Sequence, residues 1–134
     1  MHGGWIRVYR KFTQWEWYSD INVSRVFFHL LLTSNYKEAR WKGQLIMPGD
    51  KVTSWQHLAD ETGLSVQNVR TAIDKLKLTG EITSKTTNKF TIISIVNWRK
   101  YQDESFLDNK VINNQTNKRL TINQQTTNKQ LTIN

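Results

Sequence analysis

The sequence contains no cysteine, which excludes disulfide bridges and thiolate metal sites. A small secreted scaffold held together by disulfides is therefore not expected. The sequence also lacks any apolar stretch close to the ~20 residues that a membrane-spanning helix needs. Its start, from Met1 to Arg10, has neither the apolar core nor the small-residue cleavage site of a secretory signal. These absences predict a cytoplasmic protein with no membrane partner.

The residue patterns of enzymes and metal sites are absent as well. The three histidines, His2, His29 and His57, do not have the spacing of metal ligands and are expected to be structural or solvated. The adjacent carboxylates Asp60 and Glu61 point in different directions, as do Asp103 and Glu104, so neither pair suits acid–base catalysis. The sequence contains no glycine-rich phosphate loop and no nucleophile motif. We therefore expect no enzyme activity, no catalytic residue, no metal and no cofactor.

Positive charge is abundant by contrast, with 19 Lys and Arg residues against 11 Asp and Glu. The formal net charge of +8 favours a polyanionic partner such as DNA or RNA, although it also suits ordinary solubility. Residues 109–134 contain four basic residues and no acidic one. Half of the net charge is therefore carried by residues 109–134, because no carboxylate offsets their cations.

The composition divides the sequence into a domain at residues 1–104 and a tail at residues 105–134. The domain is aromatic and periodic, and a length of roughly 100 residues is enough to bury a core without covalent links. In residues 109–134, 11 of 26 positions are Asn or Gln, so the tail has too little apolar surface to form its own core. It is interpreted as a flexible arm or linker, while its two Leu-Thr-Ile triplets leave open an ordered pair of strands.

Caps and periodicity predict the first elements of the domain. Irregularly spaced aromatic residues suggest a first helix from Trp5 to Trp17. Asp20 is a suitable N-cap for a second, largely buried helix from Ile21 to about Asn35. A short strand is expected at Gln44–Ile46, before the Pro48-Gly49 turn.

A helix-turn-helix is predicted next. Ser54 caps a helix over Trp55–Thr62, Gly63 supplies the positive φ of the turn, and Ala59 is small enough for a close helix crossing. Ser65 then caps a helix over about Val66–Thr79. The apolar stripe expected to be buried in this helix comprises Val66, Val69, Ile73 and Leu76.

The remaining faces of that helix carry side chains that suit DNA. Gln and Asn can bridge an adenine edge, and Arg can bind guanine through two hydrogen bonds. A recognition helix contacts bases mainly through its N-terminal half. The predicted DNA-binding residues of this segment are Ser65, Gln67, Asn68, Arg70, Thr71 and Lys75. The alternative is a plain helical hairpin with a solvated face.

Two β-rich runs, Glu81–Thr86 and Phe90–Val96, flank Thr87-Asn88-Lys89 and predict a hairpin, or wing. Lys85, Asn88 and Lys89 at its tip suit a phosphate backbone, although a hairpin tip in solvent is polar for other reasons too. In the tail, the predicted phosphate contacts are Lys118, Arg119 and Lys129. The predicted fold is thus α+β, mainly α: a winged helix-turn-helix with extra N-terminal helices and a low-complexity C-terminal tail.

Several tryptophans leave two alternatives open. The tryptophans at positions 15, 17, 41, 55 and 98 could stack on the bases of single-stranded DNA or RNA. In a small basic domain, however, a tryptophan is more often part of the core or of an interface, and that is the expectation here.

Six segments together resemble the N-terminal winged-helix domain of phage and prophage replication proteins of the DnaD-like primosome group. The segments are GWIRVYRK (4–11), WEWY (15–18), HLLL (29–32), LADETGLS (58–65), TTNKF (86–90) and IVNW (95–98). The resemblance covers about residues 3–102, and the Asn/Gln/Thr/Lys tract resembles the linker that follows in that group. A helical C-terminal domain usually comes next, whereas this sequence stops at Asn134, so a fragment or a stand-alone member is expected.

The resemblance implies replication initiation in a bacterial or phage-infected cell. The implied partners are double-stranded origin DNA, further copies of the chain, and a helicase loader or initiator. Because the winged helix of this group can also serve oligomerisation, an adaptor that self-associates in the primosome is the second hypothesis. A phage transcriptional regulator is the third.

Overall fold

The computed structural model describes residues 4–102, and these residues form an α+β fold, as predicted. The α-helices are α1 (Ile21–Thr33), α2 (Trp55–Thr62) and α3 (Val66–Leu78). The strands are β1 (Ala39–Trp41), β2 (Gln44–Ile46), β3 (Asp50–Thr53), β4 (Ile82–Thr86) and β5 (Thr91–Ile95). The predicted tail at 105–134, with Lys118, Arg119 and Lys129, lies outside the described residues.

Helix α1 begins where its cap predicts. The side chain of Asp20 accepts a hydrogen bond of 3.1 Å from the backbone N–H of Val23, which satisfies one of the free donors of the first turn. The helix ends at Thr33, two residues before the predicted end. Its buried face consists of Val23, Val26, Phe27, Leu30 and Leu31.

The predicted first helix from Trp5 to Trp17 is wrong. Only Arg10–Gln14 is helical there, as a short 3-10 helix whose N-cap residue, Tyr9, makes no side-chain capping bond. Aromatic residues lose rotamer freedom in a helix, so this segment has little intrinsic preference for one. Its conformation therefore depends on where its aromatic side chains pack.

Those side chains attach the N-terminal segment to α1 and to the end of α3. The Phe12 ring lies 4.9 Å from the Trp15 ring and 5.0 Å from the Phe28 ring. The indole N–H of Trp15 donates to Glu81 over 2.9 Å, and that of Trp17 donates to the Thr79 hydroxyl over 2.9 Å. Both tryptophans are half-buried interface residues.

Three strands form an antiparallel sheet in the order β3-β5-β4, with β5 in the centre. Thr91 of β5 pairs with Thr53 of β3 on one side and with Thr86 of β4 on the other. The hairpin predicted between Glu81 and Val96 is confirmed as β4–β5, with strands one or two residues shorter than expected. Strands β1 and β3 were not predicted, and β1 pairs with the predicted β2 in a separate two-stranded sheet.

The core lies between the three helices and the three-stranded sheet. The largest fully buried side chains are Phe27, Leu30, Ile46, Leu58, Ile73, Leu76, Ile82, Ile93, Val23, Val26 and Val69. Trp98 closes the edge of this core, where a Cβ on Gly49 would come within 2.9 Å of its side chain. Gly49 also has a φ of +93°, so both space and backbone require glycine there.

None of the helices formed by residues 4–102 combines the length and the apolar character that a membrane crossing demands.

Candidate nucleic-acid interface

Helices α2 and α3 are joined by the turn that the sequence predicts. The Ser54 hydroxyl accepts the N–H of His57 at 3.1 Å and caps α2. Gly63 ends that helix in the left-handed conformation, with a φ of +79°, and donates its N–H to the Ala59 carbonyl at 2.9 Å. Ala59 is buried with 5% of its surface exposed, as a close crossing of two helices requires.

The inner face of α3 is buried against its neighbours. Val69, Ile73 and Leu76 are almost fully inaccessible, and Val66 at the start of the stripe is half-buried. Ala72, which was not included in the predicted stripe, is also buried. Since these residues define one side of the helix, the orientation of the opposite side is fixed.

The opposite side of α3 begins with exposed side chains that can bind base edges. The exposed members of the predicted set on this helix are Gln67, Asn68, Arg70 and Thr71. The Gln67 amide donates to the Thr71 hydroxyl over 3.2 Å. Within residues 4–102, no hydrogen bond or ion pair holds the guanidinium of Arg70. The structure thus brings these four residues together in one N-terminal patch of α3.

Ser65 and Lys75, also predicted DNA-binding residues, have contacts within the domain. The hydroxyl of Ser65 accepts the N–H of Asn68 at 3.0 Å and caps α3. The ammonium of Lys75 lies 2.8 Å from Oδ2 of Asp20 and 5.7 Å from the centre of the Trp17 ring. A phosphate at Lys75 would therefore compete with the Asp20 carboxylate.

The ion pair between Asp20 and Lys75 was missed by sequence reasoning, which treated Asp20 only as a cap. The hydrogen bond from Lys75 lowers the pKa of Asp20 below that of an ordinary aspartate. The backbone N–H of Val23 acts in the same direction, against the effect of partial burial. The two residues are 55 positions apart, so no local pattern could reveal the pair.

The wing places its three predicted residues in solvent at its tip. Lys85, Asn88 and Lys89 are all exposed. Thr87 closes the turn, since its N–H donates to the Phe90 carbonyl at 2.8 Å and its hydroxyl accepts the N–H of Lys89 at 3.2 Å. This local hydrogen bonding holds the tip in one shape.

Cations outnumber carboxylates on α3 and the wing. The exposed cations of these elements are Arg70, Lys77, Lys85 and Lys89. The same elements carry one exposed carboxylate, Asp74 of α3. A second exposed carboxylate, Asp60, lies on the neighbouring helix α2 and accepts a 2.9 Å hydrogen bond from Gln56. The surface formed by α3 and the wing is therefore positively charged.

His29 joins two helices of the fold. Nε2 of His29 on α1 lies 2.9 Å from Oε1 of Glu61 on α2, and this hydrogen bond lowers the pKa of Glu61. Lys51 of β3 lies 3.7 Å from the same oxygen. In the part of the chain that the structure describes, no three His, Cys, Asp or Glu residues are grouped as metal ligands.

No family model, no curated protein and no solved structure matches this chain. Its function therefore has to be inferred from its own residues and their geometry.

Proposed function

We propose that this chain is a winged-helix protein that binds double-stranded DNA through α3 and the β4–β5 wing. The observation that carries the proposal is the exposed patch of Gln67, Asn68, Arg70 and Thr71 on α3. This patch lies opposite the buried face of α3. The turn before α3 contains Gly63, which ends α2, and Ser65, which caps α3. The order α1, β3, α2, α3, β4, β5 and the sheet order β3-β5-β4 also suit a winged helix.

Each part of this surface has a separate task in DNA binding. The N-terminal half of α3 enters the major groove, where Gln67 or Asn68 recognises adenine and Arg70 recognises guanine. Lys85 and Lys89 contact phosphates, which position the domain but carry little sequence information. Asn88 adds a polar contact at the wing tip. Affinity accordingly depends on salt, and specificity depends on α3.

The biological role that we propose is initiation of phage DNA replication in the bacterial cytoplasm. The support is the resemblance to DnaD-like primosome proteins carried by the six segments of residues 4–98. In this role the bound domain recruits a helicase loader or initiator to origin DNA. The tail cations Lys118, Arg119 and Lys129 would add phosphate contacts.

A second candidate, an oligomerising adaptor of the primosome, is favoured by an apolar groove that is lined by residues outside α3 and the wing. The groove is lined in part by Trp5, Leu32 and Tyr36, whose exposed fractions are 64%, 68% and 46%. Exposed apolar side chains grouped in this way are typical of an interaction surface. Because no lining residue belongs to α3 or the wing, the two functions are compatible.

A titration against duplex DNA at two salt concentrations, combined with light scattering, tests the proposal. The duplexes are taken from a random-sequence pool enriched on the protein, with a scrambled duplex as control. We expect tighter binding to the enriched duplex and an affinity that falls steeply with salt, because phosphate contacts release counterions. A stable oligomer with no affinity for any duplex would contradict the proposal and favour the adaptor function.

A further inference from the structure

The β1–β2 hairpin, which the proposed function does not use, has an unusual turn. Lys42 and Gly43 connect the two strands with φ values of +48° and +80°, and Trp41 pairs with Gln44 across the turn. A two-residue turn with positive φ at both positions favours Asn-Gly or Gly-Gly. Among residues 4–102, Lys42 is the only residue other than glycine with positive φ. A lysine thus occupies the tip although the backbone there favours asparagine or glycine.

An aromatic contact fixes this hairpin against the wing. The rings of Trp41 and Phe90 lie 4.7 Å apart at an angle of 86°, an edge-to-face arrangement. The backbone carbonyl of Phe90 accepts a hydrogen bond from the N–H of Thr87, and this bond closes the turn at the wing tip. The tips of the two hairpins are therefore neighbours.

Trp41, one ring of this pair, also contacts the ammonium of Lys42. Its Nζ lies 4.9 Å from the centre of the Trp41 ring, whose side chain is 37% exposed. Lys89 lies next to Phe90 in the chain and is exposed. The Trp41–Phe90 contact thus brings the cation of the β1–β2 turn to the side of the domain that carries the wing cations.

Charge on the two hairpins has one sign. Residues 39–46 contain Arg40 and Lys42 and no carboxylate, and residues 82–91 contain Lys85 and Lys89 and no carboxylate. Glu38 precedes the first hairpin. Arg40 is adjacent to Trp41 on β1, so alternation places it on the opposite face from Trp41, whereas the ammonium of Lys42 lies over the Trp41 ring.

We propose that the β1–β2 hairpin is a second DNA-backbone contact beside the wing, in which Lys42 binds a phosphate of the duplex that α3 reads. This inference rests on the proposed function and extends it. Trp41 acts as a positioning residue, since it holds the turn against Phe90. The lysine at a left-handed position supports the inference because a residue poorly suited to its backbone is more common at binding sites.

Lys42→Asn is the decisive variant, because it removes the cation while asparagine tolerates the left-handed conformation of the turn. Lys11→Asn is the matched control: it removes the same charge from a site near Glu81 and Tyr101, at the opposite end of β4 from the wing tip. Lys42→Arg retains the cation. Binding of the enriched duplex is measured for all four proteins from low to moderate salt, with thermal unfolding to confirm that each is folded.

We expect the slope of log affinity against log salt to become smaller by about 0.9 for Lys42→Asn, the value of one phosphate contact on B-DNA. Lys11→Asn and Lys42→Arg should keep the parent slope. If the parent binds duplex and Lys42→Asn shows the same salt slope as the parent, Lys42 makes no phosphate contact. The further inference is then wrong, while the proposed function stands. If the parent binds no duplex, the proposed function fails first. The same titrations are run on one separated strand of that duplex. If Lys42→Asn loses affinity for the single strand only, the duplex contact is overturned in favour of a single-strand site at Trp41.

Discussion

The ammonium of Lys75 lies 2.8 Å from Oδ2 of Asp20 and joins α3 to the first turn of α1. The same carboxylate caps α1 through the N–H of Val23. One side chain therefore both starts the first helix and neutralises a cation of the proposed recognition helix. Lys75 differs in this respect from Arg70, which has no such partner in residues 4–102.

Asp20→Asn should increase the affinity for duplex DNA at low salt. Asparagine caps a helix about as well as aspartate, so α1 remains, while Lys75 loses its carboxylate partner and can bind a phosphate. We expect the salt slope to increase by about 0.9. Asp60→Asn removes an equal charge from α2 and serves as the control. An equal gain in both variants would show that only net charge matters and that Lys75 stays off the DNA.

The stability contributed by Asp20 should disappear in acid. Its folded-state pKa is lowered by the hydrogen bond from Lys75, so the ionised form is favoured by folding. The contribution is therefore fully present above the unfolded value, near 3.8, and is lost as the pH falls through the lower folded value. Urea unfolding of the parent and of Asp20→Asn should differ by about 1 kcal/mol or less at pH 7 and converge in strong acid. A difference that does not depend on pH would contradict this.

Arg70→Ala and Gln67→Ala should each weaken binding to the enriched duplex by about 1–3 kcal/mol if they make bidentate base contacts. Both side chains are exposed and lie opposite the buried face of Val69 and Ile73, so thermal stability should barely change. Binding to the scrambled duplex measures the non-specific part. Parent-like specificity in both variants would mean that this face of α3 does not read DNA.

The double variant Lys85→Ala, Lys89→Ala should weaken binding to every duplex alike. Each lost phosphate contact removes nearly one released counterion, so the salt slope should become smaller by up to about 2. The β4–β5 pairing does not involve these ammonium groups, and the fold should persist. Titrations from low to moderate salt measure the slope, and an unchanged value would place the wing away from the backbone.

Removal of residues 109–134 should lower affinity at low salt only. The segment carries four cations and no carboxylate, and exposed charges are screened as ionic strength rises. Light scattering of the truncated chain should give the oligomeric state of the parent. Dissociation of an oligomer on truncation would show instead that the Leu-Thr-Ile repeats pair with another subunit as added strands.

The sequence by itself determined those elements whose signals are local. Asp20, Ser54 and Ser65 cap the helices that follow them because a short polar side chain can reach an N–H three residues ahead. Gly63 ends α2 because its φ is positive. The patch on α3 could be predicted for the same reason, since a 3.6-residue period separates its buried side from its exposed side.

Only the tertiary structure decided the features that join distant segments. The aromatic residues before α1 form no α-helix; Trp15 and Trp17 hydrogen-bond to Glu81 and Thr79 instead. Strand β3 exists as a partner of β5, about 40 residues later in the chain. The pairs Asp20–Lys75 and Trp41–Phe90 have the same origin. Such contacts depend on how the elements pack, and no local pattern of residues encodes them.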